Sequence, residues 1–125
     1  MASQTLLSVG DKWFSYSGLL QGDASVPATI ELINIPNTGL RDCLMKVQPF
    51  YSLPAVTTFQ EGLGIQINFD DVIVYEFKSP DGFMRDIQTP IDLFVPRQTK
   101  VTILSLNTSG NNSQSRGCTA LGYYL

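Results

Sequence analysis

Residues 65–78 read IQINFDDVIVYEFK, and this stretch carries the clearest fold signal in the chain. Apolar and polar side chains alternate over residues 65–69, and an apolar face resumes over residues 72–78. Alternation with a period of two is the pattern of a half-buried β-strand. Asp70 and Asp71 interrupt it, and aspartate is a common turn former. The stretch therefore predicts two strands joined at a tight acidic corner.

The same alternation, or a run rich in β-branched residues, recurs along the rest of the chain. It predicts further strands at residues 4–9, 12–20, 28–35, 43–48, 91–95, 100–106 and 118–125. Pro49 predicts that the chain beyond residue 48 becomes an edge strand or a loop, because proline cannot donate to a sheet ladder. About eight short strands with almost no helix pattern predict an all-β fold, an antiparallel β-sandwich resembling a jelly roll.

The chain shows no internal repeat, no linker and no shift in composition. Its 125 residues, 43% of them apolar and 15% charged, can bury enough surface to fold alone. We therefore expect a single β-sandwich domain spanning residues 1–125. Residues 1–9 are expected to act as an N-terminal arm of this domain.

Charged residues are few and scattered, with eight Lys and Arg, eleven Asp and Glu, and a net charge of −3. A nucleic-acid-binding protein needs a basic patch to contact phosphates, and none is visible. No stretch approaches about 18 consecutive apolar residues, and residues 1–10 lack the pattern of a signal peptide. We expect no nucleic-acid partner, no membrane partner and synthesis in a cytoplasm.

Histidine is absent from the chain. Its absence removes the commonest general base, the commonest transition-metal ligand and every His-activated nucleophile. Acidic residues between positions 70 and 92 could supply calcium ligands or a pair of glycosidase carboxylates, but they follow no calcium-loop spacing and several fall at predicted turns. We expect no catalytic residue, no metal site and no cofactor, and therefore a protein that is not an enzyme.

Cys43 and Cys118 are the two cysteines of the chain. They could form a disulfide only if the fold brought their Cα atoms within about 7 Å of each other. A reducing cytoplasm favours free thiols, and free cysteine is among the residue types most often buried. We expect two free, buried thiols.

Aromatic residues occur as neighbours at Trp13–Phe14 and at Tyr123–Tyr124. Adjacent residues of a strand face opposite ways, so one ring of each pair is expected in the core and the other on the surface. Interface cores are rich in aromatic residues and poor in charge, which favours protein contacts here. The candidate contact residues are Leu6, Leu7, Trp13, Tyr16, Tyr123, Tyr124 and Leu125.

Two segments resemble the small β-sandwich virion structural proteins of tailed phages. Residues 96–125, PRQTKVTILSLNTSGNNSQSRGCTALGYYL, combine a proline-led strand, a long polar loop and a final strand closing in Gly-Tyr. Residues 28–52, ATIELINIPNTGLRDCLMKVQPFYS, are similar in pattern, as are the chain's length, lack of His and low charge. The resemblance implies a capsid decoration or cement protein located in the virion. It further implies a trimer that binds the major capsid protein or other virion subunits.

A second hypothesis is a carbohydrate- or receptor-binding β-sandwich module. Exposed rings can stack on sugars, and asparagine side chains form adaptable hydrogen bonds. Residues 107–117 contain no large apolar side chain and predict an exposed loop. The candidate ligand residues under this hypothesis are Phe50, Tyr51, Asn107, Asn111 and Asn112.

Overall fold

The computed structural model describes residues 7–18, 20–21, 29–52, 63–78, 90–107 and 115–125. These residues form ten strands, and the described ranges contain no helix. The strands are β1 (Leu7–Val9), β2 (Lys12–Tyr16), β3 (Leu20–Gln21), β4 (Ile30–Ile35), β5 (Cys43–Ser52), β6 (Leu63–Phe69), β7 (Val72–Lys78), β8 (Ile91–Val95), β9 (Val101–Asn107) and β10 (Ser115–Tyr124).

The strands form two antiparallel sheets that pack against each other through a shared core. In sheet A the strand order is β1-β2-β10-β5-β8, and β3 pairs with β10 beyond the end of β2. In sheet B the order is β4-β9-β6-β7. The predicted all-β antiparallel sandwich is confirmed, whereas this strand order does not establish the predicted jelly roll.

The predicted strand over residues 12–20 is divided into β2 and β3. Gly18 has a φ of +69°, in the left-handed region that glycine adopts at little cost. Tyr16 pairs with Thr119 and Leu20 pairs with Arg116, so the three residues between Tyr16 and Leu20 face two on β10. The extra residue makes a β-bulge, which explains why one predicted run becomes two strands.

β5 is longer than predicted and continues through Pro49 to Ser52. β10 pairs with β5 over this whole length, whereas β8 pairs only with residues 43–47. On the β8 side, β5 is therefore an edge at Pro49, where the missing proline N–H breaks no ladder. Of the two predicted alternatives for the chain beyond residue 48, the structure has the edge strand.

The core consists of inward-facing side chains from both sheets. Sheet A supplies Trp13, Cys43, Met45, Val47, Ile91, Val95, Cys118 and Ala120, and sheet B supplies Leu32, Ile33, Ile35, Ile65, Ile67, Val101 and Ile103. A bulge between Glu31 and Ile33 lets the adjacent Leu32 and Ile33 both be buried. Full burial of an aliphatic side chain contributes about 1.5–3 kcal/mol, so this cluster supplies most of the driving force for folding.

Trp13 is the largest fully buried side chain and lies against Gly122 of the neighbouring strand. A Cβ atom added at Gly122 would overlap the indole ring of Trp13. Position 122 therefore requires glycine, because any side chain would displace the ring from the core.

The predicted acidic corner between β6 and β7 is present. Asp70 and Asp71 have φ values of 49° and 65°, the left-handed backbone that a two-residue type I′ hairpin requires. The Asp70 Oδ1 accepts a hydrogen bond from the Lys100 N–H at 2.9 Å, and the Asp71 Oδ1 lies 3.0 Å from the Lys100 Nζ. Both carboxylates thus take part in forming and bracing the turn.

Candidate binding surface

The outer face of sheet A consists of the side chains that alternate with its buried core positions. Its exposed apolar members are Val9, Phe14, Tyr16, Leu44, Phe94 and Tyr123. These side chains expose between 37% of their surface, at Phe14, and 69%, at Val9. Isolated exposed apolar residues are normal on proteins, but a contiguous group of them marks an interaction surface.

The strand register aligns several of these side chains in one row across sheet A. Val9 pairs with Lys12, Lys12 with Tyr123, Tyr123 with Leu44, and Leu44 with Phe94. Directly paired residues have Cβ atoms about 4.5–5.5 Å apart, so neighbouring side chains in the row touch or nearly touch. We call Val9, Tyr123, Leu44 and Phe94 the apolar row.

Lys12 occupies the β2 position of this row without dividing it. Its Nζ lies 5.2 Å from the centroid of the Tyr123 ring. This distance fits a cation–π contact, in which the aliphatic stem lies along the apolar surface and the ammonium stays in water. The row therefore remains continuous from one edge of sheet A to the other.

A groove of about 280 Å³ lies between β5 and β8 on the same face. Its lining residues are Leu44, Met45, Lys46, Asp92, Leu93, Phe94 and Tyr123. Drug-sized ligands occupy pockets of about 300–1,000 Å³ that enclose most of their surface. An open groove of this size is suited to a side chain of another protein.

Hydrogen bonds brace the end of the sandwich next to the apolar row. Arg41 forms an ion pair with Asp11, Nη1 to Oδ1 at 3.0 Å, and its Nε donates to the Leu125 carbonyl oxygen at 3.1 Å. The Tyr124 hydroxyl donates to the Thr38 carbonyl oxygen at 3.0 Å. Burial raises the pKa of Tyr124, the Cys43 thiol adds to the rise, and Arg41 opposes it. These contacts hold the last residues of the chain beside the face.

The predicted aromatic contact residues are partly confirmed as surface residues. The prediction of Trp13 as a contact residue is wrong, because Trp13 is fully buried. Its neighbour Phe14 is the exposed ring of that pair. Tyr16, Tyr123 and Leu125 are exposed as a contact surface requires. Tyr124 is only partly buried, and it packs against the core on the inward side of β10.

The predicted N-terminal arm is corrected where the structure describes it. Leu7–Val9 form the edge strand β1, which pairs with Lys12–Phe14 of β2, so these residues belong to the sandwich. Leu7 lies opposite Phe14 in the register. Residues 1–6, including Leu6, lie outside the described residues.

The residues proposed for a glycan site are not assembled into one by the described ranges. Phe50 is half-buried, and its ring covers Gly117 closely enough that a Cβ atom there would overlap it. Tyr51 and Asn107 occupy strand positions in β5 and β9, in different sheets. Asn111 and Asn112 lie outside the described residues. Among the described side chains, the exposed aromatic rings are Phe14, Tyr16, Phe94 and Tyr123 of the sheet A outer face.

Leu44 and Phe94 were missed by reasoning from the sequence. Their signal is that Leu44 lies between Cys43 and Met45, and Phe94 lies between Leu93 and Val95. Consecutive apolar residues make a strand apolar on both faces, a pattern typical of strands covered on both sides. In an antiparallel sandwich this pattern predicts an apolar outer face.

Arg116 was also missed and is fully buried on the inward side of β10. Its Nη1 donates to the Ser105 Oγ of β9 at 3.4 Å, which connects sheet A to sheet B. The sequence pattern of a strand does not distinguish a buried arginine from an exposed one.

Cys43 and Cys118 are free and buried, as predicted. On the β5–β10 ladder Cys43 pairs with Tyr124 and Cys118 pairs with Pro49. Positions 43 and 49 are six residues apart, roughly 20 Å along a strand, which is too far for a disulfide. Burial raises the pKa of the Cys118 thiol to about 12. Burial also raises the pKa of Cys43, where the Trp13 indole opposes the rise.

The described ranges hold no group of three or more Cys, Asp and Glu residues placed to bind a metal ion. Within the same ranges, no helix has the length and apolar character needed to cross a membrane. Compared with protein-family models and with curated proteins, the chain matches none. The apolar outer face of sheet A is therefore the candidate binding surface of the described residues.

Proposed function

We propose that this chain is a non-enzymatic structural protein of a phage particle. In this proposal it decorates or cements the capsid by binding shell subunits and copies of itself through the outer face of sheet A. The observation that supports the proposal is the apolar row on β1, β10, β5 and β8, which Lys12 continues on β2 and which Phe14 and Tyr16 flank. The sequence resemblance is the reason for proposing a phage particle, and the exposed apolar side chains of sheet A are the reason for proposing this face as the contact.

The size of the apolar face agrees with protein binding. Its aromatic side chains, Phe14, Tyr16, Phe94 and Tyr123, together expose roughly 350 Å² if a whole aromatic side chain offers about 200 Å². The largest apolar patch on a typical monomer is about 300–600 Å², and a stable interface buries about 800 Å² per partner. The rings alone thus reach the range of functional patches, and Val9 and Leu44 extend them.

The chemistry of the face agrees with a lasting contact. Aromatic residues are the commonest binding hot spots when a partner excludes water from them. Lys12, Lys46 and Asp92 are the charged residues on this face, and a low charge density keeps the desolvation cost of docking small. A cement protein needs such a surface, because it must remain bound to the shell without chemical turnover.

The first experiment is to measure the abundance of the chain in density-purified particles from the source culture. Quantitative mass spectrometry should find a fixed ratio to the major shell protein, near one or one per few shell subunits. Its absence from the particles would contradict the proposal. A glycan bound in array screening would then favour the carbohydrate-binding module, with the sheet A rings as its platform.

The second experiment tests the face itself. Tyr16→Asp and Phe94→Asp place a charge at side chains that are 53% and 52% exposed, and Ile73→Asp on sheet B is the matched control at 54% exposure. On particles prepared without the wild-type chain, each sheet A variant should reduce occupancy at least about tenfold, while the control binds normally. Equal occupancy by all three folded variants would exclude this face as the shell contact. Circular dichroism checks that each variant remains folded.

A further inference from the structure

Two opposite charges lie side by side on the groove between β5 and β8. Lys46 and Asp92 are directly paired positions of the two strands, and both side chains are exposed on the outer face of sheet A. Within the described residues neither forms an ion pair, although Arg41, Lys78, Arg97 and Lys100 each pair with a carboxylate. The groove therefore presents a free cation and a free anion beside its apolar side chains.

The pattern of the groove is complementary to itself. β5 contributes Leu44 and Lys46, β8 contributes Phe94 and Asp92, and each apolar residue pairs with the other apolar residue. Consider a two-fold axis that runs parallel to the strands, between β5 and β8. Such an axis places β5 of one copy over β8 of the other and keeps every residue in its own row. Lys46 then faces the partner's Asp92, and Leu44 faces the partner's Phe94.

We propose that the occupant of this groove is a second copy of the chain, which docks sheet A on sheet A about this two-fold axis. The proposal rests on the proposed function, and it names the contact through which copies bind each other. Each copy supplies both charges, so the contact contains two intermolecular ion pairs and two Leu–Phe contacts. A two-fold contact of this kind closes on itself and gives a dimer. It differs from the trimer that the sequence resemblance implies.

The other arrangements of two facing sheets are less favourable. An axis that runs along β5 places Lys46 over the partner's Lys46, and like charges facing each other cost several kcal/mol. An axis perpendicular to the strands and midway between the two rows places the charged row over the apolar row and leaves both ions without partners. A perpendicular axis through the charged row again places Lys46 over the partner's Lys46. Charge complementarity therefore selects the axis between β5 and β8.

Charge-reversal variants of the full chain test this contact by sedimentation equilibrium over a range of protein concentrations. Lys46→Asp gives a face with two carboxylates, and Asp92→Lys gives a face with two ammonium groups. Each variant alone should dimerise at least about tenfold more weakly than the wild type. An equimolar mixture of the two should recover a heterodimer, because every carboxylate then meets an ammonium group. The double variant K46D/D92K should dimerise like the wild type.

Lys78→Asp is the matched control. It changes the net charge as much as Lys46→Asp does, but it lies on β7 of sheet B, outside the overlap of β5 with β8. It should leave dimerisation within about threefold of the wild type.

The outcomes distinguish this contact from the proposed function. A monomeric wild type, a mass of three chains or a mixture that fails to associate would overturn the two-fold contact. The shell contact is tested separately by Tyr16→Asp, because Tyr16 lies on β2 and outside the overlap. Loss of particle binding by that variant with dimerisation intact supports both inferences. Particle binding by a monomeric wild type overturns the dimer alone.

Discussion

The outer face of sheet A is apolar, and the outer face of sheet B is mostly polar, although both sheets are built from alternating antiparallel strands. The polar members of the sheet B face are Glu31, Asn34, Gln66, Asn68, Glu76, Lys78 and Thr102. The exposed apolar residues of sheet B, Val72–Val74, lie together on its edge strand. The two faces therefore differ in chemistry within the same sandwich.

Three polar side chains of the sheet B face, Gln66, Glu76 and Lys78, interact with one another. The Gln66 Nε2 donates to the Glu76 Oε2 at 3.0 Å, and the Lys78 Nζ lies 3.2 Å from the Glu76 Oε1. The Gln66 hydrogen bond and Lys78 lower the pKa of Glu76. The sheet B face thus pairs Glu76 with Gln66 and Lys78, whereas on the sheet A face neither Lys46 nor Asp92 forms an ion pair within the described residues. This difference supports the proposal that sheet A is the side that binds partners.

The largest expected effect is on the free energy of unfolding, from replacing the glycine that packs against Trp13. Gly122→Ala should lower the free energy of unfolding by about 3 kcal/mol or more, because the rigid indole must leave its place in the core. The displacement also moves β10, which carries Tyr123 of the apolar row. Urea unfolding measures the change, and Thr119→Ala, at an exposed position on the same strand, should stay within about 0.5 kcal/mol. Equal stability of G122A would contradict the packing of Trp13 on Gly122.

A smaller effect on the free energy of unfolding is expected at alkaline pH, from the buried Cys118 thiol of sheet A. Unfolding lowers the pKa of Cys118 from about 12, raised by burial, to the ordinary value of 9.0. Between these values the unfolded chain loses a proton that the folded chain keeps, so stability falls as pH rises. The slope for this group is about 1.4 kcal/mol per pH unit, and below pH 9 its contribution is constant.

Cys118→Ala provides the measurement for this pH dependence. Urea unfolding between pH 8 and pH 11 should show a shallower fall in stability for the variant than for the wild type. The comparison uses slopes, so a constant loss of stability from the shorter side chain does not affect it. Identical slopes would show that the thiol ionises equally well in the folded chain.

The smallest effect is expected on the polar row of sheet B. Asn34, Thr102 and Asn68 are paired positions, and the Thr102 Oγ1 is buried without a hydrogen-bond partner among the described residues. Thr102→Val removes that hydroxyl at nearly constant volume and should raise the free energy of unfolding by about 1 kcal/mol. Thr119→Val on the exposed face of sheet A should change it by less than about 0.5 kcal/mol. A loss of stability in T102V would show that the hydroxyl is bonded.

Reasoning from the sequence recovered the features that depend on local pattern. The alternation of residues 65–69 and the two aspartates predicted β6, β7 and their turn, because a side-chain period of two and turn chemistry are local properties. Trp13 was predicted as a contact residue although it lies in the core. Adjacent residues of a strand face opposite sides, but the pattern of Trp13 and Phe14 alone does not say which of them faces the core. Gly122, far along the chain, decides that by leaving room for the indole.

The candidate surface was predictable only in part. Tyr16, Tyr123 and Leu125 were found from the aromatic and terminal pattern, whereas Leu44 and Phe94 were assigned to strands without a surface role. Their importance depends on β5 lying between β10 and β8, which is a pairing of residues far apart in the chain. Such pairings are set by the packing of the whole sandwich and have no signature in a short window of sequence.

The sequence by itself determined the all-β class, the acidic turn, the free thiols and a surface with few charges, because each follows from residue type and short-range spacing. The tertiary structure decided that Val9, Tyr123, Leu44 and Phe94 form one row and that Lys46 stands beside Asp92. The physical reason is that strand order and register come from burying both inner faces at once. That condition joins distant strands and leaves the outer face of sheet A apolar and exposed.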